Sequence, residues 1–338
     1  MAVTKTRLLT LREVEQVASS ALLDCGFSAA QAESIAQTVT AAERDHCRSH
    51  GLFRIPFYSA ALKNPSADAQ AVPTLELGQT SVVHVDSKNG FCPLALKTGL
   101  PALLDKAREH GTAALAIHNT YNIAALWPEV EQLAEQGLVA FAFTAANAFV
   151  APAGGTRPLF GTNPMAFAFP RLNGPPLVFD QASSATARGE IQLYLREGKS
   201  IPEGWAIDEN GHATTDPEQA LKGAQLPFGG YKGSSLALMV ELLAAALIGE
   251  KFSIESSAHD VHKVGAPFGG ELLLALDPKH FGSTDYLQRA EFLIEQLEQQ
   301  PGTRLPSARR HQARAQSIAE GVEIPVSILE DIEALRSQ

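Results

Sequence analysis

The densest group of reactive side chains in the sequence is the segment His-Cys-Arg-Ser-His-Gly at positions 46–51. On a helix, His46 and His50 would occupy positions i and i+4 of one face, a spacing that zinc sites use. The glutamate that completes an H-E-x-x-H motif is absent, and His259 and His262 are distant in sequence. Alternatively His50 is structural, since an imidazolium at a helix C-terminus interacts favourably with the helix dipole.

A third interpretation of this segment is catalytic. His50 would be a general acid, favoured in its protonated form by the helix end and hydrogen-bonded through Ser49. Adjacent residues of a helix do not face each other, so this pair requires the helix to end before Gly51. Arg54 has a guanidinium group that matches a substrate carboxylate, or it is a surface arginine. The segment alone leaves these interpretations open.

The sequence lacks the glycine fingerprint of a Rossmann dinucleotide-binding fold. None of the 26 glycines stands two positions from another glycine, which excludes the motif G-x-G-x-x-G. Gly198-Lys199-Ser200 matches the end of a P-loop, but Leu193 stands where that motif needs glycine. A dinucleotide, if the protein binds one, is therefore bound in another way.

Two further segments suit anions. The loop PFGGYKGSS, residues 227–235, presents backbone N–H groups and a helix N-terminus to an anion, or it is a tight entry turn. The segment from Arg304 to Arg314 contains four arginines and no acid. It matches a phosphate, including a 2′-phosphate, or the solvated start of a helix.

The elements that must position these residues follow from capping signals and apolar periodicity. Thr10 with Glu13 and Ser28 with Gln31 match the capping box, which predicts one helix ending near Gly26 and a second ending at or before Gly51. The most apolar stretch, 236–248, is too short for a membrane span, which needs roughly 20 residues, and predicts a buried helix. Other helices are predicted over 94–109, 124–135, after Gly233 and over 286–299, and strands over 81–86, 112–118, 138–145, 165–169, 177–180 and 271–276.

Composition and charge exclude several classes of protein. The chain has 338 residues, 45% of them apolar and 19% charged, which is typical of globular proteins and not of disordered or fibrous ones. Lys and Arg total 27 against 37 Asp and Glu, a net charge of −10, so we expect no nucleic-acid partner. Three cysteines are too few for a disulfide framework, and the first residues contain no long apolar run. We therefore expect a cytoplasmic protein with no membrane segment.

Four segments, in this order, resemble the malate/L-lactate dehydrogenase family, whose members lack a Rossmann fold: ERDHCRSHGLFRIPFY, FGTNPMAFAFP, DQASSATARGEI and LPFGGYKGSS. The resemblance implies an α/β fold with three layers, α/β/α, around a mixed, largely antiparallel sheet, and a helical second domain. It also implies a homodimer. The NADPH-binding domain would cover residues 121–284, and residues 1–120 with 285–338 would form a discontinuous substrate and dimerisation domain.

The resemblance also implies roles for individual residues. Ser49 and Glu190 would form a charge relay with His50 as the proton donor, and Arg54 and Thr162 would contact the substrate. Relatives are expected to have Asp where this chain has Glu190, and no metal is expected. The implied NADPH contacts are His118, Asn122, Ile123, Ala124, Ala125, Leu126, Asp180, Gln181, Ala182, Tyr231, Lys232, Arg304, Leu305, Pro306, Ser307, Ala308, Arg309 and Arg310.

Within the family, the chain is similar to the branch that reduces Δ1-piperideine-2-carboxylate and Δ1-pyrroline-2-carboxylate with NADPH. We therefore expect a reductase of cyclic α-imino acids that works in proline metabolism or in lysine degradation through pipecolate. Many malate-type relatives have His-Phe-Gly where this chain has Asn122-Ile123-Ala124, which favours the imino acid. The alternatives are an NAD(P)-dependent dehydrogenase of 2-hydroxy acids of the malate, lactate or ureidoglycolate type, a zinc enzyme using residues 46–50, and a non-catalytic dimer.

Overall fold

The computed structural model describes residues 5–335. The strands in this range are β1 Thr6–Leu9, β2 Thr74–Leu77, β3 Val82–Asp86, β4 Thr112–Tyr121, β5 Val139–Thr144, β6 Met165–Phe169, β7 Leu177–Gln181, β8 Ala206–Ile207, β9 Ala213–Thr214, β10 Ala224–Gln225, β11 Phe268–Leu276 and β12 Val322–Pro325. The α-helices are α1 Leu11–Asp24, α2 Ala29–Arg44, α3 Ile55–Ala61, α4 Cys92–His110, α5 Trp127–Glu135, α6 Arg188–Arg196, α7 Pro217–Lys222, α8 Tyr231–Glu241, α9 Ser253–His259, α10 Tyr286–Glu298, α11 Ala308–Glu320 and α12 Val326–Leu335.

The main sheet has seven strands in the order β2-β3-β4-β11-β5-β6-β7. Neighbours β3 and β4 are parallel, and the other pairs of this sheet are antiparallel. A Rossmann fold is built on a mostly parallel sheet. The topology therefore confirms the predicted mixed, largely antiparallel, non-Rossmann sheet.

Helices cover both faces of this sheet. Along β5, Ala140 and Ala142 pack with α4 and α5, whereas Phe141 and Phe143 pack with α8 and the π-helical turn that follows it. This alternation follows from the period of two in a strand, which sends successive side chains to opposite faces. The small alanines therefore face one helical layer and the large phenylalanines face the other, and the sheet between them gives the predicted three layers.

The two ends of the described chain meet in a helical unit beside the sheet. Strand β1 pairs antiparallel with β12, and α1, α2, α3 and α12 share a core with these strands. Thr10 forms the predicted capping box with Glu13, and Ser28 accepts a hydrogen bond from the Gln31 backbone N–H. The helical second domain is thus confirmed. The domain boundaries remain a prediction, and residues 1–4 and 336–338 lie outside the described range.

One predicted helix is present but is not buried as expected. Residues 236–248 continue α8 into a π-helical turn, Leu242–Ala246, that packs on the sheet through one side only. Leu238, Leu242 and Leu247 are 48%, 52% and 68% exposed. The prediction of a buried helix was wrong because one side of this helix has no layer above it within residues 5–335.

No described helix is long and apolar enough to cross a membrane.

Candidate active site

The reactive segment begins where α2 ends, at Arg44. Asp45 caps the helix, His46 takes the left-handed conformation with φ 56°, and 3-10 turns follow at Arg48–His50 and Leu52–Arg54. The break allows Ser49 Oγ to lie 3.2 Å from His50 Nδ1, which satisfies the condition set by the catalytic interpretation. His46 and His50 do not share a helix, so the spacing argument for zinc and the helix-end argument for a structural His50 both fail.

Two hydrogen bonds, one buried and one partly buried, fix these turns. The Leu52 N–H donates to Glu43 Oε1 at 2.7 Å, and Arg54 Nε donates to the Ser49 carbonyl at 2.6 Å. Glu43 passes so close to Gly51 that a Cβ there would lie 2.0 Å from Glu43 Oε1. Glycine at position 51 is therefore required by packing, since its φ of −85° is accessible to any residue.

His50, Arg54 and Thr162 line one small cavity of about 110 Å³, called here the inner cavity. Its other walls include Asn122, Ile123 and Ala124 from the loop after β4, and Arg188 and Gly189 from α6, and none of its lining residues is Asp or Glu. The guanidinium of Arg54 packs on the ring of Phe57, with its Cζ 5.0 Å from the ring centroid. An anion that enters this cavity meets positive charge without a competing carboxylate.

The protonation state of His50 differs from the sequence-based expectation. Burial and the nearby charge of Arg54 lower the pKa of His50 to about 3, so the imidazole is neutral at physiological pH. The expectation that a helix end favours the protonated form was wrong, because α2 ends six residues earlier and a guanidinium lies beside the ring.

Thr162 is held in place by its neighbours. Asn163, buried with φ 37°, donates from its side chain to Glu241 and to the Ala237 carbonyl on α8. The Thr162 carbonyl accepts from the backbone and side chain of Ser183. The segment FGTNP therefore sets Thr162 at the junction between α8 and the chain that leaves β7.

Two further cavities continue outward from the inner cavity. The central cleft, of about 500 Å³, shares His50, Ala124 and Thr162 with it and adds Ser49, Ala125, Asp180, Gln181, Ala182 and Glu190. The outer cavity, of about 690 Å³, shares Asp180 and Arg310 with the central cleft and adds Arg304, Leu305, Pro306, Ser307 and Arg309. The three cavities adjoin one another through these shared lining residues, and together, from His50 to the arginine segment, they are called here the path.

The loop after β4 is anchored by buried carboxylates. Asp180 accepts from the backbone N–H groups of Leu126 and Trp127 at 2.8 and 3.0 Å, and burial raises its pKa to about 6. Asn122 donates from its side chain to Glu271 and accepts from the Ala124 N–H at 3.1 Å. Carboxylates on β7 and β11 thus hold the loop that forms one wall of the inner cavity and of the central cleft.

The arginine segment is less uniform than its sequence suggests. Arg304 and Arg309 are exposed at the outer cavity, and Arg310 packs over Trp127 with its buried Nε lacking a partner in the described structure. Arg314 is not free, because it pairs with both Asp45 and Glu131 at 2.6 Å. That pairing fastens α11 to the end of α2.

Most of the predicted cofactor residues lie along this path, but some do not line it. Leu126 and Ala308 are next to lining residues in the chain. His118 contacts His84 and Glu250 at 3.1 and 3.5 Å, and the cavities do not include it. Tyr231 and Lys232 are exposed in the first turn of α8, and the preceding loop is held by the Phe228 N–H, which donates to the Ser183 carbonyl at 3.1 Å. Glu190 lines the central cleft without a hydrogen bond to Ser49 within residues 5–335.

Residues 9–333 match the protein family described as malate/L-lactate dehydrogenase. The chain belongs to this family. It is 49% identical over 330 residues, 97% of this chain and 98% of the other, to the Δ1-pyrroline-2-carboxylate/Δ1-piperideine-2-carboxylate reductase of Pseudomonas aeruginosa. The crystal structure of the Δ1-piperideine-2-carboxylate reductase of Pseudomonas syringae superposes with a TM-score of 0.92 at 42% identity, covering 98% of this chain and 100% of the other.

A relative with a different activity is also similar. The (2R)-3-sulfolactate dehydrogenase (NADP(+)) of Chromohalobacter salexigens is 42% identical over 329 residues, 97% of this chain and 98% of the other. Membership of a dehydrogenase family implies oxidoreductase chemistry with a nicotinamide cofactor and a small-molecule substrate. The geometry of the path is consistent with both ligands.

Sequence reasoning missed several residues that build this site. Glu43, Asp45 and Glu271 do not line the inner cavity but hold, through hydrogen bonds and ion pairs, the residues that surround it. Glu271 is 149 positions from Asn122, the asparagine that it binds. Arg188 lies in a quoted motif, yet nothing local shows that its side chain reaches the inner cavity.

Proposed function

We propose that this protein reduces cyclic α-imino acids with NADPH, converting Δ1-piperideine-2-carboxylate to L-pipecolate and Δ1-pyrroline-2-carboxylate to L-proline. The observation that carries the proposal is the inner cavity, where His50, hydrogen-bonded to Ser49, lies with Arg54 and Thr162 around one small space. The names and identities of the two reductases above support the choice of substrate.

The chain's own groups orient the substrate and handle a proton. The two Nη groups of Arg54 make no hydrogen bond within residues 5–335, since only Nε is used, and they bind the carboxylate as a fork. The Thr162 hydroxyl orients the ring. A reduced nicotinamide bound in the central cleft would supply a hydride to C2 of the substrate, and the ring nitrogen would take a proton as the C=N bond becomes a single bond.

His50 provides that proton from the cavity wall. Burial is the larger cause of the low pKa of His50, and the charge of Arg54 is the smaller one. A bound carboxylate offsets the arginine charge and removes this smaller cause, so substrate binding makes the imidazolium form less unfavourable. Ser49 fixes the ring through Nδ1, and Glu190, on the same cleft, is the proposed acidic member of this relay.

The outer cavity fits the phosphate groups of NADPH. Arg304 and Arg309 are exposed there, and the buried Nε of Arg310 has no partner in the described structure, as expected of a donor reserved for an anion. The central cleft, bounded by residues 122–126 and 180–182, connects this charge to His50. These residues, with Tyr231, Lys232, His118 and Ala308, remain the proposed cofactor contacts.

A substrate panel tests the function. Rates of NADPH and NADH oxidation should be measured with the two cyclic imino acids and with pyruvate and oxaloacetate. We expect the highest kcat/KM for a cyclic imino acid with NADPH. A higher kcat/KM for a 2-oxo acid would replace the proposal with the 2-hydroxy-acid dehydrogenase alternative, and no rate with any substrate would favour a non-catalytic protein.

The role of His50 has a separate test. His50→Ala should lower kcat about 100-fold or more, as loss of a general acid does, while the Kd of NADPH changes less than about threefold. An unchanged kcat would remove His50 from the chemistry.

We also propose a cytoplasmic homodimer. The exposed leucines of α8 and its π-helical turn form an apolar strip that a second copy can cover, and the cysteines are free thiols, as in a reducing compartment. The mass from light scattering should be that of two chains, and cell fractionation should recover the protein with cytoplasmic markers. A monomer at micromolar concentration would refute the assembly.

A further inference from the structure

The inner cavity contains a second guanidinium group that the proposed chemistry does not use. Arg188, the first residue of α6, lines this cavity together with Arg54. Its Cζ lies 3.8 Å from the centroid of the Phe149 ring, which is another wall of the same cavity. The two arginines are therefore held on separate aromatic rings within one space of about 110 Å³.

Arg188 is only partly satisfied. Nη2 donates to the Leu221 carbonyl at 2.9 Å, but Nη1 is buried and has no hydrogen-bond partner within residues 5–335. No described carboxylate lies within ion-pair distance of this side chain, in contrast to Arg171 and Arg314, which pair with acids at 2.9 and 2.6 Å. A buried guanidinium with a free donor is costly unless a ligand completes it.

The neighbouring residue explains how both cations fit. A Cβ at Gly189 would lie 2.6 Å from Arg54 Nη2, so the absence of a side chain there makes room for Arg54 against the first turn of α6. Gly189 thus leaves space for the guanidinium of Arg54, and Arg188 adds its own guanidinium to the same cavity. Both Nη groups of Arg54 remain free to bind one substrate carboxylate, so Arg188 is available to bind a different group of the ligand.

Charge points to the nature of that group. With a monocarboxylate bound, one of two cations would stay uncompensated in a cavity that has no acidic lining residue. A second acidic group on the ligand compensates it. We propose that Arg188 is a second anion-binding residue of the substrate cavity and that the protein prefers α-imino acids with a second acidic group on the ring.

This inference deepens the proposed function, so its test uses ligands that need no turnover. Pyridine-2-carboxylate mimics a planar cyclic α-imino acid and cannot be reduced in this way; its 2,4-, 2,5- and 2,6-dicarboxylate analogues add the second acid at different ring positions. Their Kd values should be measured by calorimetry for the wild type, Arg188→Met and Arg188→Lys, each with NADP⁺ present.

We expect at least one dicarboxylate to bind the wild type about tenfold more tightly than pyridine-2-carboxylate, equivalent to about 1.4 kcal/mol. Arg188→Met should abolish that advantage while the Kd of the monocarboxylate changes less than about threefold, and Arg188→Lys should retain part of it. Arg196→Met, on the same helix but paired with Asp331 at the surface, is the matched control and should keep the full advantage.

The inference fails if no dicarboxylate binds the wild type more tightly than the monocarboxylate, or if the advantage survives in Arg188→Met. Equal weakening of all four ligands by Arg188→Met would also overturn it, since Arg188 would then serve the shared carboxylate or the fold. Thermal unfolding of each variant identifies a general loss of structure. If Arg188→Met is unfolded, the Kd values of Arg188→Lys decide whether the dicarboxylate advantage depends on this residue. Turnover of Δ1-pyrroline-2-carboxylate reports separately on the proposed function.

Discussion

Replacing Gly51 with alanine tests how the active-site turns are held. The new Cβ would lie 2.0 Å from Glu43 Oε1 and 2.4 Å from its Cδ, whereas ordinary contacts begin at 3.4 Å. Glu43 is buried, 3% exposed, so its carboxylate must retreat by about 1 Å or more within the core and release the Leu52 N–H. The turn that joins His50 to Arg54 then shifts.

The expected magnitude follows from the groups that lose their partners. A buried N–H and a buried carboxylate left unsatisfied cost about 1–3 kcal/mol or more, so we expect Gly51→Ala to lose about 2–4 kcal/mol of unfolding free energy. A displacement of about 1 Å at catalytic groups lowers kcat/KM about 100-fold. Gly78→Ala is the control, because the nearest atom to its Cβ is 4.0 Å away.

A double-mutant cycle isolates the cause. If the clash with Glu43 is responsible, Gly51→Ala should cost less than about 1 kcal/mol and less than about threefold in kcat/KM when introduced into Glu43→Ala. Denaturant unfolding and steady-state rates of the four proteins measure both terms. The same loss in both backgrounds, or no loss in the wild type, would refute the packing argument.

Three other perturbations have outcomes fixed by the structure. Burial raises the pKa of Glu43 to about 7, above its unfolded value near 4.5, so its contribution to stability is lost as pH rises between these values. Glu43→Gln should therefore remove about 2–3 kcal/mol of the decline in unfolding free energy from pH 5 to pH 8, and an unchanged decline would contradict this. Arg310→Glu should raise the KM of NADPH at least about tenfold with little change for NADH, whereas the exposed Arg289→Glu should change neither; loss of both cofactors equally would detach Arg310 from the 2′-phosphate. Glu271→Ala should destabilise by about 2–4 kcal/mol because Asn122 and Cys92 lose their acceptor, while Glu271→Gln, which keeps one, should cost clearly less; equal costs in denaturant unfolding would count against this.

The sequence predicted those parts of the fold that depend on local signals. The capping residues of α1 and α2 lie beside the helices they start, and the alternation in β5 and β6 spans a few residues. Strand β2 has only four residues, all of them exposed, so its two leucines belong to no buried face and the strand was not predicted. The two-residue strands β8, β9 and β10 are too short for periodicity, so the small sheet they form was not predicted.

The site divides in the same way. Ser49, His50 and Arg54 are close in sequence, so one segment predicted their proximity, and the structure confirms it. The bonds that hold them depend on long-range pairs, such as Asp45 with Arg314 across 269 positions, for which one sequence carries no signal. The pKa of His50 was likewise inaccessible, because it depends on burial and on where the Arg54 side chain points.

The placement of charge shows how an acidic chain can bind two anionic ligands. The sequence predicted that the run Arg304–Arg314 supplies unopposed positive charge. In the structure, however, Arg314 forms ion pairs with Asp45 and Glu131, and Asp180 lines the same cavity as Arg310. Arg54 and Arg188 differ from these, because they line a cavity whose described walls contain no Asp or Glu. Charge buried there is screened little by salt, unlike charge at the outer rim. A net charge of −10 therefore sets the average field of the surface, while under the proposed function affinity for a small anion depends on Arg54 and Arg188, which form no ion pair within residues 5–335.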